Sequence, residues 1–454
     1  MKLENIEVLY FLGIGGIGMS ALARYFHSQG FRVLGYDKTE THLTKALVNE
    51  GISVSYNDTG NEVVNHFSSK ERTLIVYTPA IPKEHEEYQF LISQNYTLIK
   101  RAELLGIISK NSPCLAVAGT HGKTTTSTLL AHVLNCNNIP CTAFLGGIST
   151  NFQSNLLLHS DPKWIIVEAD EFDRSFLHLS PYASIITSTD ADHLDIYDNH
   201  EELKQAFNDY SKKVVQEGIL VVENSVDVQG IAKIIRYGIA EHDDNQYKIL
   251  NHYFENETFS FDVETPLGRW KNIELGIPGF HNAENATAVI ALGVNIGLTE
   301  QQIRKGLASF EGVKRRFEYH IKSDELIFID DYAHHPSAIK QLISSVRMLY
   351  PNRKITGVFQ PHLFSRTKDF MDDFALELSQ LDKVMLLPIY PAREKPIEGV
   401  SSEVLIEKIN HSNKELVDQL SLLERLSVSE NEVILTIGAG DIDQCIEPIK
   451  NLLS

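Results

Sequence analysis

Cys114-Leu115-Ala116-Val117-Ala118-Gly119-Thr120-His121-Gly122-Lys123-Thr124-Thr125-Thr126 is the stretch on which the reading of this chain turns. Cys114 to Ala118 is apolar throughout and has the length of a buried strand, while Thr125 to Leu134 reads as a helix. Glycines at such a hand-over let successive backbone N–H groups face one point, and the helix start adds its partial positive charge there. The result is a cradle for phosphate, formed by Gly119, Thr120, His121, Gly122 and Thr125. Lys123 is spaced to reach the β- and γ-phosphates of a nucleoside triphosphate, and the Thr124 hydroxyl to ligate Mg2+. The full pattern asks for a glycine six residues before the lysine, where Val117 stands, so the motif is the shorter Gly-Thr-X-Gly-Lys-Thr form. A ligand-free turn would also join a strand to a helix, but it would not need Gly-Lys-Thr at the junction.

The rest of the chain gives this loop a setting. At ~150 residues per domain, 454 residues suggest three domains, and 43% hydrophobic residues supply their cores. Lys and Arg total 41 against 60 Asp and Glu, a formal charge of −19, so there is no basic face for nucleic acid. An anionic ligand must therefore be met by local cations and oriented N–H groups. The four cysteines, Cys114, Cys136, Cys141 and Cys445, lack paired metal-ligand spacing and read as buried free thiols of a reducing compartment. The start of the chain lacks a basic segment with a small-residue cleavage site, and no apolar run reaches the ~18 residues of a membrane span. A cytoplasmic protein is expected.

Strand-like and helix-like runs alternate almost throughout, which predicts an α/β protein with largely parallel sheets. The first unit runs Val8 to Leu12, then Gly13-Ile14-Gly15-Gly16-Ile17-Gly18, a helix to about Gln29, and a strand from Phe31 to Tyr36 ending at Asp37. This is a βαβ opening with a Gly-X-Gly-X-X-Gly loop and an acidic residue ~20 positions on. Alone it suggests a nicotinamide-dependent dehydrogenase. The second nucleotide loop downstream has no use in such an enzyme, so the first loop suits another diphosphate, one carried by a substrate. Lys110 to Pro113 reads as a linker, and the basic segment Gly312 to Arg316 precedes a fresh strand at Leu326. These points divide the chain into 1–110, a Rossmann-like domain, 111–314, a P-loop domain with a mostly parallel sheet, and 315–454, a second Rossmann-like domain. Tyr247 to Ile277 reads as several short strands in an antiparallel annex.

Further residue groups stand where chemistry is usually done. Glu168-Ala169-Asp170-Glu171 ends the strand Trp164 to Val167, a position suited to Mg2+ bridging phosphates. An acidic surface loop is the plainer alternative. His193 follows another strand, in Asp190-Ala191-Asp192-His193, and could be a ligand or a structural histidine. His281-Asn282-Ala283-Glu284-Asn285 opens an Ala-rich helix, where the asparagines could cap the helix or hydrogen-bond a base. Asp330-Asp331-Tyr332-Ala333-His334-His335-Pro336 and Gln360-Pro361-His362-Leu363-Phe364-Ser365-Arg366 each follow a strand, and Arg366 could grip a carboxylate or phosphate with both arms.

Taken together, Gly13 to Met19, Gly119 to Thr124, Glu168 to Glu171, His281 to Ala286 and Asp330 to Pro336 resemble the Mur ligase family of cell-wall enzymes. The resemblance extends over essentially the whole chain, to Gly438-Ala439-Gly440-Asp441. It implies a UDP-sugar domain, a central ATPase and a C-terminal domain bringing the amino acid. The implied reaction, in peptidoglycan precursor synthesis, transfers the ATP γ-phosphoryl group to the lactyl carboxylate of UDP-N-acetylmuramate. The amine of L-alanine then attacks the acyl phosphate, leaving ADP, phosphate and an amide.

The resemblance also implies roles. Lys123 would neutralise the transferring phosphoryl group; Thr124, Glu168 and His193 would hold Mg2+, with Mn2+ as an alternative ion. His281, Asn282 and Asn285 would lie at the adenine, and Arg316 and Asp331 would reach ATP from the third domain. Tyr332, His334 and Arg366 would form the alanine pocket, with His334 and Arg366 among the catalytic groups. Gly15, Gly16, Ile17, Gly18, Met19, Asp37, the turn Thr78-Pro79-Ala80-Ile81, and Arg101 would hold the UDP sugar. Some relatives carry arginine where Leu363 stands, which leaves open what assists Arg366. Three other readings are compatible with parts of the sequence: a sister ligase adding a preformed tripeptide to the same sugar, the dehydrogenase, and a binding protein with a degenerate ATPase. A monomer and a homodimer are both open.

Overall fold

Three sheets contain all the described strands, and each puts a glycine-bearing loop at its carboxyl edge. The coordinates are a computed structural model, and the structure describes residues 3–67, 69–110, 112–190, 197, 199–239, 244–255, 258–392, 394–426 and 432–453. The first sheet is parallel throughout. Its strands lie in the order Ser53–Ser55, Arg32–Tyr36, Val8–Leu12, Thr73–Tyr77, Thr97–Lys100. Val8–Leu12 is buried at every position, as its unbroken apolar run requires of a strand covered on both faces. The chain runs outward from it in one direction and then the other, so the Gly13 loop opens at the point where the strand order reverses.

The second sheet has ten strands. From one edge they are Gly268–Leu275, Thr258–Thr265, Tyr247–Glu255, Lys233–Ile239, Ile219–Glu223, Ala183–Ile186, Cys114–Ala118, Trp164–Glu168, Cys141–Ser149 and Ser154–Leu157. Cys114–Ala118 is fully buried and parallel to both neighbours. Its helix, Lys123–Cys136, begins two residues before the position the apolar pattern suggested, because Gly122 takes a left-handed conformation as its N-cap. Two hydroxyls of the buried first turns are satisfied locally, Ser127 and Thr128 donating to the Thr124 carbonyl.

The region from Tyr247 departs from expectation. Its strands are nine, eight and eight residues long, and the first continues the main sheet through parallel pairing of Tyr237–Ile239 with Tyr247–Ile249. These strands bury only part of their side chains, Trp270, Ile273 and Leu275 in the last of them, while Arg269, Lys271 and Glu274 are exposed, so charged residues interrupt the apolar runs without ending the strands.

The third sheet runs Glu318–Lys322, Ile327–Asp331, Val433–Ile437, Ile355–Phe359, Lys383–Leu386, Lys414–Leu416, parallel except for the first pair. Val433–Ile437, late in the sequence, is wholly buried between two earlier strands. All four cysteines are free thiols, three of them buried. No helix among the described residues is long and apolar enough to cross a membrane.

The chain divides into two compact units. One comprises Met1–Asn251, Phe261–Glu274 and Glu284–Glu311; the other comprises His252–Ser260, Leu275–Ala283 and Gly312–Ser454. Within the first unit a single apolar core continues from the first sheet into the second, joining Leu22 and Phe26 to Phe144, Leu156 and Ile165. Tyr25 packs edge-on against Phe144 with ring centres 5.3 Å apart.

Candidate active site

In the first unit, Gly119 and Gly122 have φ of +134° and +79°, conformations that side chains resist. Space is also lacking. A Cβ on Gly119 would fall 2.0 Å from the Thr187 hydroxyl, and one on Gly122 would fall 2.5 Å from the Asn285 side-chain oxygen. The loop is braced by the neighbouring strand end. Thr187 donates to the carbonyls of Ala118 and His121, while the His121 N–H donates to the Ser188 hydroxyl at 3.0 Å. The Thr120 hydroxyl accepts from the Asp190 N–H at 3.0 Å and lies 2.9 Å from the Ser188 hydroxyl. His121 faces Asp190 at 3.6 Å.

Lys123 folds back over this loop. Its ammonium donates to the Gly119 carbonyl at 2.6 Å and to Glu171 at 2.8 Å, the latter side chain having no exposure at all. Burial works against the charge, but Glu171, Asp170 and Glu168 together outweigh it, and the lysine sits above its ordinary pKa. The site therefore presents a charged ammonium at neutral pH. Glu168 closes the strand Trp164–Glu168, and its carboxylate lies directly on the backbone of Gly146. A Cβ there would come within 2.1 and 2.4 Å of the two oxygens.

The hydroxyl of Thr124 and the carboxylate of Glu168 are hard oxygen donors, and the space left by Gly146 keeps the carboxylate close to the chain. That donor set fits Mg2+. His193 lies outside the described residues. Glu284, in the asparagine motif, is pushed up to about 7 by burial and by Glu223.

At the first sheet, the Gly15 N–H donates to Asp37 at 2.7 Å, so the expected ribose carboxylate already rests on the glycine loop. Gly13, at φ +87°, is covered by Thr78 and Ile81, whose turn is closed by the Ile81 N–H on the Thr78 carbonyl. Pro79 and Ala80 are exposed, whereas Met19 is buried in the core under the loop. Gly16 and Gly18 flank Ile17, whose carbonyl accepts from Asn155 at 2.6 Å. The Arg101 guanidinium lies against Gly18 and donates to Asp170 at 3.0 Å.

In the second unit, Asp331 accepts from the N–H groups of Phe317 and Ala333 at 2.7 and 2.8 Å. Burial raises its carboxyl, with Arg316 the leading opposing influence. The guanidinium of Arg316 stands 4.9 Å from the Tyr332 ring centre, and that of Arg315 5.2 Å from it. The His334 ring packs edge-on to Tyr332, with His362 at 6.1 Å, and His362 in turn stacks on Tyr390. Arg366 Nη1 lies 3.3 Å from His362 Nδ1. Tyr332, His334 and Arg366 thus line one cluster of aromatic rings and a guanidinium at the carboxyl edge of the third sheet. Leu363 precedes the helix Phe364–Asp369 with φ of +70°, a conformation uncommon for leucine. His281 is driven down to about 4 by burial and by Arg316, so its imidazole is neutral at pH 7. Asn282 bonds the Pro278 carbonyl at 2.6 Å.

Three participants have partners that the sequence does not signal. Glu171 and Asp170 stand in the acidic run suited to Mg2+, but pair with Lys123 and Arg101; Gly146 is half of a Gly-Gly pair inside a strand, a signal for close approach.

Comparisons with known proteins agree on one family across the chain. Residues 8–112 match the Mur ligase family, catalytic domain; residues 117–293 match the Mur ligase middle domain; residues 315–440 match the Mur ligase, glutamate ligase domain. A UDP-N-acetylmuramate–L-alanine ligase of Christiangramia forsetii is 48% identical over 99% of this chain and 98% of its own length. The enzyme of the same name from Flavobacterium psychrophilum is 48% identical, covering 100% and 99%. Among solved structures, the UDP-N-acetylmuramate-alanine ligase of Thermotoga maritima superposes with a TM-score of 0.84 at 29% identity, over 98% of both chains. A murein peptide ligase from Psychrobacter arcticus shares the fold, with a TM-score of 0.72 at 20% identity. This chain belongs to the Mur ligase family.

Proposed function

We propose that the chain joins L-alanine to the lactyl carboxylate of UDP-N-acetylmuramate at the expense of ATP, through an acyl phosphate, in peptidoglycan precursor synthesis. The observation that carries this is full-length identity of 48% to ligases named for that reaction, together with a braced glycine loop whose lysine is held charged. Residues 1–110 serve the UDP sugar, 111–314 bind ATP, and 315–454 bring the amino acid; the reaction takes place in the cytoplasm.

The chemistry follows from what each group offers. The N–H groups of Gly119 to Thr125 and the helix start receive the phosphates, and Lys123 neutralises the γ-phosphoryl group as it moves to the carboxylate. Activation replaces oxide, a poor leaving group, with phosphate. Thr124 and Glu168, with His193, would hold Mg2+, which would supply charge screening for the phosphates. Neutral His281, with Asn282 and Asn285, suits an uncharged adenine, and Arg316 and Asp331 are further groups for ATP. Arg366 grips the carboxylate of alanine while Tyr332 and His334 border its small side chain, and His334 takes the proton its amine loses. The Gly15 to Met19 loop, Asp37, the turn Thr78 to Ile81 and Arg101 hold the diphosphate and sugar. Catalysis is then mainly positioning and charge neutralisation.

Mass spectrometry of a reaction with ATP, Mg2+, UDP-N-acetylmuramate and L-alanine tests the proposal. The expected product is the sugar nucleotide extended by one alanyl residue, in step with ADP. ADP formed without that product, or the product formed without ATP, would overturn it.

A further inference from the structure

We propose that Asp170 is a positioning residue that couples the two phosphate loops, so that nucleotide sugar and nucleoside triphosphate tighten each other's binding. The inference rests on the function proposed above. Arg101 begins the helix Arg101–Ile108, and its guanidinium is laid against the first turn of the helix Ile17–Ser28. A Cβ on Gly18 would fall 2.6 Å from Nη1. A cation there faces the positive end of a helix dipole, an unfavourable placement unless an anion shares it. Asp170 is such an anion: its Oδ2 accepts from Arg101 Nη2 at 3.0 Å. Its Oδ1 accepts from the Phe172 N–H at 3.1 Å, which fixes the carboxylate within its own turn. That turn also carries Glu168 and Glu171.

The contact is reinforced on both sides. Lys100 pairs with Asp173 at 2.7 Å, so two consecutive cations meet two acids three residues apart. Behind them, Gly106 lies on the His178 backbone, where a Cβ would come within 2.6 Å of the carbonyl oxygen. The helix Arg101–Ile108 and the turn Phe172–His178 are thereby held as one body. Fully buried Asn155, on the second sheet, fixes the other partner by donating to the Ile17 carbonyl and the Ser20 hydroxyl.

The guanidinium fork gives the mechanism. One arm faces the glycine loop and the other holds Asp170. A diphosphate on the loop orders the first arm, which holds Asp170 and with it the turn that carries Glu168 and Glu171, the partner of Lys123. Linkage requires the reverse effect to be equal. Couplings between sites typically run from about 5- to 150-fold, and a single ion pair is expected to give the lower end, about 5- to 20-fold.

Asp170→Asn is the isosteric test. It keeps the acceptor for Phe172 and replaces the oxygen facing Arg101 with an amide that cannot accept. The dissociation constant of a non-hydrolysable ATP analogue with Mg2+ is measured by calorimetry, with and without saturating UDP-N-acetylmuramate. Wild-type protein should show the 5- to 20-fold tightening, Asp170→Asn less than about twofold, and Asp170→Glu a partial return. An unchanged coupling factor in Asp170→Asn would overturn the inference. If that variant folds poorly, Arg101→Lys keeps the charge without the fork and should also lose the coupling; coupling retained there would overturn the inference equally. Wild-type protein that binds both ligands independently would overturn the inference alone. Wild-type protein that binds neither would overturn the proposed function with it.

Discussion

Gly119→Ala puts the geometry of the phosphate loop to a quantitative test. At φ +134° an alanine is strained by about 1–3 kcal/mol. The added Cβ would also sit 2.0 Å from the Thr187 hydroxyl and 2.9 Å from the Ser188 nitrogen, so Thr187 must move. Its hydroxyl then gives up its bonds to the Ala118 and His121 carbonyls, a further loss of about 1 kcal/mol. The sum is about 2–4 kcal/mol. At roughly 2–4 °C per kcal/mol, the melting temperature should fall by about 5–15 °C. Gly122→Ala should cost less, about 1–2 kcal/mol, because its φ of +79° lies in the ordinary left-handed region and the obstructing atom is the end of the Asn285 side chain.

A double variant separates strain from crowding. Thr187→Ala removes the obstructing oxygen, so in combination with Gly119→Ala the two losses should fall short of additivity by about 0.5–1 kcal/mol. Urea denaturation of the four proteins, with calorimetric binding of an ATP analogue alongside, provides the measurement. Gly119→Ala within 1 kcal/mol of wild type, with unchanged analogue affinity, would refute the reasoning.

Other substitutions probe the remaining parts of the site. Glu171→Gln leaves Lys123 without its buried counter-charge and should destabilise the protein by about 2–4 kcal/mol, read by urea denaturation; a change under about 0.5 kcal/mol would remove Glu171 from the account. Gly146→Ala drives a methyl group into the Glu168 carboxylate and should weaken the apparent Mg2+ affinity in ATP turnover about tenfold or more, seen as a higher metal concentration at half-maximal rate. Arg366→Ala should raise the KM for alanine far more than that for ATP, by about 100-fold if a bidentate carboxylate contact is lost; equal effects on both would reassign the residue. Glu284 carries the pH prediction. Its folded pKa, about 7, exceeds the unfolded value, so the folded state holds the extra proton and this group's contribution is lost as pH rises through 7. Glu284→Gln should therefore gain on wild type between pH 5 and 8, by about 1–3 kcal/mol, and a stability difference that is flat across that range would contradict the assignment.

The parts of the site legible in the sequence are those where spacing alone forces geometry. Gly119 to Thr124 could be placed because an apolar strand, two glycines and a helix leave the backbone few alternatives, and the first glycine loop for the same reason. The strand register that sets Glu168 beside Gly146, and the fold-back of Lys123 onto Glu171, are long-range contacts that no local pattern encodes. Arg101 was identified through family likeness, but its bond to Asp170 spans 69 residues and needed the structure. The strands after Tyr247 were under-read because half-exposed strands carry charges on alternate positions. Leu363 at positive φ was likewise invisible, since leucine gives no sign of such a conformation.

Phosphate release from ATP and Mg2+ in the presence of UDP-N-acetylmuramate, across single amino acids and the preformed tripeptide, decides which substrate the enzyme joins to the sugar. Release that requires both the sugar nucleotide and L-alanine is the predicted result. Release with the tripeptide and not with L-alanine would contradict it and move the chain to the peptide-adding branch of the family, and no release with any combination would contradict the ligase reading itself.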